Sequence, residues 1–179
     1  MGSLMVHFCT TTQEEGMSKV QLPSTPRGRE RLLRLAKLLE SNARNKKGAR
    51  FDYSDWGSVV DPGQKPKMNC GTTACALGLA AISGRFRGLG YYIAPSDSYI
   101  QIGLNLPGYD PRKGDTEHIA VGAKYFEITH DESYHIFGGN VECGGPTGAK
   151  AELAVATAIR QFVKGKYEPL WKPEISSGW

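Results

Sequence analysis

The sequence predicts a small single-domain α+β fold, mainly helical around a central helix of small side chains, with one β-hairpin. Three observations carry that expectation. Apolar residues recur at helical spacing over 29–41 and again over 147–163, and a compact run of small residues, 72–83, lies between them. Ile100, Ile102, Leu104 and Leu106 alternate strictly with other residues, the period of a strand with one buried face. At 179 residues and 40% apolar content, the chain is long enough for one core. Residues 27–166 are therefore read as the globular domain, 1–26 as a loosely attached arm and 167–179 as a tail rich in proline and tryptophan.

Taken in order, the first helix is expected from Arg29 to Ser41, with Leu32, Leu35, Ala36 and Leu39 inward, and Asn42 to Gly48 ending it. Phe51 to Trp56 reads as a brief strand or extended strap whose Phe51 and Trp56 cover the core. Asp61-Pro62-Gly63 marks a turn in the loop that follows. The central helix is expected over Thr72 to Ser83, because small side chains let neighbouring helices approach closely. Gly84 and Gly88 to Gly90 are breakers, and the hairpin is expected over 91–106. A helix from Asp115 to about Lys124 would turn Ile119, Ala120, Ala123 and Phe126 inward. Thr129 and Glu132 form a capping-box pattern that opens a short helix ended by Gly138-Gly139. Thr147 caps the last helix, whose inward stripe is Ala151, Ala154, Val155, Ala158, Ile159, Phe162 and Val163.

Composition limits the function classes. No apolar run approaches the ~20 residues of a membrane span, and the N-terminus lacks a basic segment before its short apolar run. A cytoplasmic protein without membrane association is expected. With no export signal, Cys9, Cys70, Cys75 and Cys143 are expected as free thiols. Cys70 and Cys75 are five residues apart, wider than the spacing of structural zinc pairs, so neither a metal nor a cofactor is expected. Charge is uneven. Between Arg27 and Arg50 stand nine Lys or Arg against two Glu, while the whole chain carries only +4. Arg29, Arg31, Arg34, Lys37, Arg44, Lys46 and Lys47 are the residues a nucleic acid would meet there, and a solvated helix face is the plainer reading of the same charges.

Chemistry centres on Cys70. A thiol at the mouth of the expected central helix would ionise readily against the helix-end N–H groups, and an imidazole could take its proton. His130 and His135 are the candidate bases, and Gln64 is a candidate amide donor to a developing oxyanion. Asn69-Cys70-Gly71-Thr72 resembles the nucleophile region of papain-like cysteine peptidases, in which a cysteine opens the central helix and a glutamine stands six residues before it, as Gln64 does. That resemblance implies a cysteine-dependent peptidase or amidase. Trp56, Cys70-Gly71-Thr72, Ala74-Cys75-Ala76, Gly78, Phe126, Thr129, Glu132, Ile136-Phe137-Gly138 and the closing Thr147 to Phe162 helix also resemble a group of small bacterial and phage proteins. This second resemblance implies that the Cys70–Gly78 block and the late helices form one unit with residues 88–112 as an elaboration. It implies an origin and no mechanism; a phage-related inhibitor of a host protein would be a protein-interaction module whose partner is an unknown protein or peptide. Three readings therefore stand at the level of sequence: cysteine hydrolase, protein-interaction module and nucleic-acid binder.

Overall fold

The computed structural model describes residues 25–61, 65–93, 98–104, 118–137 and 147–166. It is a mixed α+β domain, mainly helical, with a small antiparallel hairpin. The expectations for the arm before Thr25, for Gln64, for Leu106, for Asp115, for Gly138-Gly139, for the tail from Tyr167, and for Cys9 and Cys143 lie outside the described residues.

Helix α1 spans Pro26–Ala43, starting before the expected Arg29 because Thr25 and Pro26 form its start signal. The Thr25 hydroxyl accepts the Gly28 N–H at 3.1 Å, and Pro26 occupies the first turn, where no N–H is needed. Its apolar stripe is buried as expected, with Leu32, Leu35, Ala36 and Leu39 fully enclosed and Asn42 continuing the same face. Strands β1 (Arg50–Phe51) and β2 (Ser58–Val59) flank β3 (Thr72–Ala74), β1 parallel to it and β2 antiparallel. Phe51 is buried as expected, while Trp56 is only partly buried against the core.

Here the central element departs from expectation. Helix α2 covers Ala76–Ile82, not Thr72 to Ser83, since Thr72–Ala74 is the middle strand of the three-stranded sheet. Two adjacent β-branched residues, Thr72 and Thr73, favour the extended chain once strands on both sides accept and donate to it. Cys75 stays extended, and its carbonyl accepts the Leu79 N–H at 2.9 Å to begin the helix. Every residue of α2 is buried, so the expectation of a closely packed small-residue helix holds for the shorter span. At Gly78, a side-chain carbon would lie 2.0 Å from the Trp56 carbonyl oxygen, which accounts for glycine there.

The hairpin consists of β4 (Leu89–Tyr92) and β5 (Gln101–Leu104), with Tyr91 opposite Ile102 and Leu89 opposite Leu104. It starts earlier than expected, taking Leu89 and Gly90 into a strand after the left-handed turn at Gly88. Ile100, Ile102 and Leu104 are buried, in keeping with the alternation. The Val59 N–H donates to the Ser98 carbonyl and the Ile100 N–H to the Gly57 carbonyl, at 2.9 and 2.7 Å, joining the hairpin to the three-stranded sheet at β2.

Helices α3 (His118–Phe126) and α4 (His130–Phe137) pack on each other, and Gly122 lets Ser133 and Phe137 approach the α3 backbone. Ala120 and Ala123 are only half-buried; Val121, Gly122 and Tyr125 take the inward places beside Ile119 and Phe126. The capping box forms: Thr129 N–H donates to Glu132 Oε2 at 2.8 Å and Glu132 N–H to the Thr129 hydroxyl at 3.2 Å. Helix α5 (Gly148–Val163) lies along α1, tied to it by a two-pronged contact from Arg160 to Glu40 at 2.7 and 3.0 Å. Thr147 precedes α5 but its side chain makes no capping bond. On α5 the inward set differs from expectation, because Ala154 is exposed and Val163 half-buried, while Glu152 and Ala156 are buried against α1 and β1.

Candidate functional site: a polar cleft at the start of helix α5

The cysteine expected at the helix mouth is the wrong one. Cys70 is exposed in the turn before β3, where Gly71 N–H donates to the Asn69 side chain and Thr72 N–H to the Asn69 carbonyl. It precedes a strand and does not stand at a helix end. Cys75 is the residue that opens α2, and it is fully buried. Burial pushes its thiol up to about 12, outweighing the N–H groups of Gly78 and Leu77 that favour the anion. The thiol with helix-end donors is thus held protonated inside the core. His130 and His135 are exposed on α4, a helix packed against α3 and α5. No hydrogen bond joins Cys70 to His135 among the described residues.

His118 has a structural task. Its ring meets Trp56 edge-on with centroids 4.8 Å apart, and Nε2 accepts the Ile102 N–H at 3.4 Å, which puts the proton on Nδ1. Burial lowers its pKa, favouring the neutral ring that this acceptor role requires.

A cleft of about 580 Å³ opens instead where the C-terminal end of α1, the 44–50 loop, β1, β3 and the start of α5 meet. That volume is within the range of small-molecule sites, roughly 300–1,000 Å³. Glu152 lines it, although the residue as a whole is only 2% exposed. The amide of Asn42 holds this carboxyl: Nδ2 donates to Glu152 Oε1 at 2.9 Å and to the Ala49 carbonyl at 2.8 Å. Both amide hydrogens are therefore used, and Glu152 Oε2 has no hydrogen-bond partner among the described residues. Burial raises the Glu152 pKa to about 7, with the Asn42 bond opposing, so the carboxyl changes charge near neutrality.

Around this carboxyl, the cleft is lined by Asp52, Thr73, Thr147, Lys46 and Arg50. The Asp52 carboxylate is engaged by the backbone N–H and hydroxyl of Ser54, at 2.9 and 2.7 Å. Lys46 and Arg50 are exposed and make no ion pair among the described residues. Glu152 was missed in the sequence, yet its position carried a signal. Residues 152, 155, 156 and 159 share one helix face, and a lone acid among apolar residues on a buried stripe needs a partner or a purpose.

The basic segment is divided by its contacts. Arg31 donates to the Tyr125 carbonyl at 2.6 Å and lies 4.3 Å over the Tyr125 ring, while Arg34 pairs with Glu30 at 2.8 Å. Arg27, outside the expected set, binds Glu127. Arg29, Lys37, Arg44, Lys46 and Lys47 are exposed and have no hydrogen bond or ion pair of their side chains among the described residues. No group of three or more His, Cys, Asp or Glu is placed to hold a metal ion, and no helix is long and apolar enough to cross a membrane, again among the described residues. Comparison with protein-family models, with curated proteins and with solved structures finds no match to this chain.

Proposed function

We propose that this protein binds single-stranded nucleic acid at the corner formed by the end of α1, the 44–50 loop and the cleft. The observation that carries the reading is the set of exposed cations Lys46, Lys47 and Arg50, whose side chains have no hydrogen bond or ion pair among the described residues and of which Lys46 and Arg50 line the cleft. Internally paired cations such as Arg31 and Arg34 are spent on the fold or offset by a neighbour, and Arg44 acts on the Glu40 carboxylate, whereas these three keep their charge for a ligand. A polyanion gains most from such a loop through release of its counterions. A single strand suits a cleft better than a duplex does, because only an unpaired base can enter a concave site.

The test is fluorescence anisotropy with a labelled single-stranded oligonucleotide across a salt series. If three phosphates are neutralised, the logarithm of affinity falls with the logarithm of salt at a slope of about −2. Lys46→Ala and Lys47→Ala together should weaken binding of every sequence and flatten that slope. Absence of binding at low salt overturns the reading.

A cysteine-dependent hydrolase at Cys70 is the second reading, favoured by the exposure of that thiol. It lacks the helix-end activation expected from sequence, so it would need a base from elsewhere. Loss of hydrolytic activity on Cys70→Ser is its test, and protein without activity toward peptide and amide substrates refutes it.

A further inference from the structure

A loop of cations explains affinity for phosphate but gives no role to a buried acid with one oxygen left over. We infer that Glu152 reads a base: its Oε2 accepts a hydrogen bond from the exocyclic amino group of an unpaired base in the cleft, while Lys46 and Arg50 hold the adjoining phosphates. This rests on the nucleic-acid reading above and goes beyond it by assigning a specificity residue.

The geometry selects the chemistry. Asn42 donates to Oε1 and to the Ala49 carbonyl, which fixes one side of the carboxyl and leaves Oε2 as the oxygen without a partner in a residue that lines the cleft. An ionised carboxylate oxygen accepts hydrogen bonds and donates none, so it rewards N–H groups and rejects carbonyl oxygens. Cytosine presents an amino group where thymine presents a carbonyl, and acceptance from that amino group by a Glu side chain is an established form of base recognition. A ligand with an ammonium group alone would satisfy Glu152 but would be repelled by Lys46 and Arg50; a purely anionic ligand would do the reverse. A nucleotide unit carries both features, an N–H donor at one end and a phosphate at the other. The cleft, at about 580 Å³, is large enough to enclose a ligand of that size.

Glu152→Gln discriminates. Asn42 still requires an acceptor, so the Gln oxygen takes the Oε1 place and the Gln amide nitrogen takes that of Oε2. The atom facing the cleft then changes from acceptor to donor, and the preferred base changes from one with an amino group to one with a carbonyl. The experiment measures anisotropy of labelled oligo(dC) and oligo(dT) of equal length at pH 8 and low salt, for the unaltered protein, Glu152→Gln and Lys46→Ala. The unaltered protein should bind oligo(dC) about fivefold tighter, the effect of one hydrogen bond against its loss. Glu152→Gln should reverse or erase that preference with its circular dichroism unchanged, and Lys46→Ala should weaken both oligonucleotides alike. Equal binding of the two oligonucleotides by the unaltered protein overturns the base-reading role while leaving the nucleic-acid reading intact. A preference that persists in Glu152→Gln also overturns it. Absence of binding to either oligonucleotide removes both.

Discussion

Replacing Glu152 by Gln should stabilise the protein, and by an amount that depends on pH. The carboxyl has a pKa of about 7 in the fold against an ordinary value of 4.5, because the surrounding α1 and β1 atoms take water away from it. At about 1.4 kcal/mol per pH unit, the folded state loses roughly 3 kcal/mol as pH rises from about 4.5 to about 7. The direction follows from proton counting. In that window the folded chain keeps a proton on Glu152 that the unfolded chain has released, so raising the pH favours unfolding. Below 4.5 both states are protonated and the stabilisation is fully present; above 7 it is gone. Gln removes the titration yet keeps an acceptor for Asn42, whose amide would otherwise be left unpaired. The stability of Glu152→Gln relative to the unaltered protein should therefore grow by about 3 kcal/mol between pH 4 and pH 8. Urea unfolding at pH 4, 5, 6, 7 and 8 measures it, and taking the difference cancels other groups, including His118, whose lowered pKa acts in the opposite sense. A difference that is flat across this range would refute the burial argument for Glu152. A stabilising change that also alters base preference would mark a residue retained at a cost to the fold, as functional residues often are.

Site-resolved alkylation of the folded protein at pH 8 should modify Cys70, which is exposed, and spare Cys75, which is buried with its thiol pushed up to about 12; modification of Cys75 without unfolding would contradict that burial. Gly78→Ala should destabilise by about 3 kcal/mol, since the added carbon would meet the Trp56 carbonyl oxygen at 2.0 Å and the Ala74 Cβ at 2.8 Å, and a backbone atom cannot turn aside. Gly84→Ala meets nothing within 4 Å and should cost only the ~1 kcal/mol of a left-handed backbone, so equal melting temperatures for the two variants would refute the packing argument.

The α+β class, the two long helices, the alternating strand and the Thr129–Glu132 capping box were legible in the sequence. Each depends on residues within a few positions of one another: Leu32, Leu35, Ala36 and Leu39 form a stripe in any helix, and a capping box needs four consecutive residues. Tertiary structure decided what local periodicity leaves open. Thr72–Ala74 became a strand because Arg50–Phe51 and Ser58–Val59 lie on its two sides, and that pairing moved the helix mouth from Cys70 to Cys75. Arg31 was drawn out of the basic set by the Tyr125 ring and carbonyl, 94 residues further along the chain. The cleft has the same origin. Asn42 and Glu152 are 110 residues apart, and only the packing of α5 along α1 turns two unremarked polar residues into a buried pair with one carboxyl oxygen left without a hydrogen-bond partner, because the water that would have solvated that acid is displaced by the opposite helix.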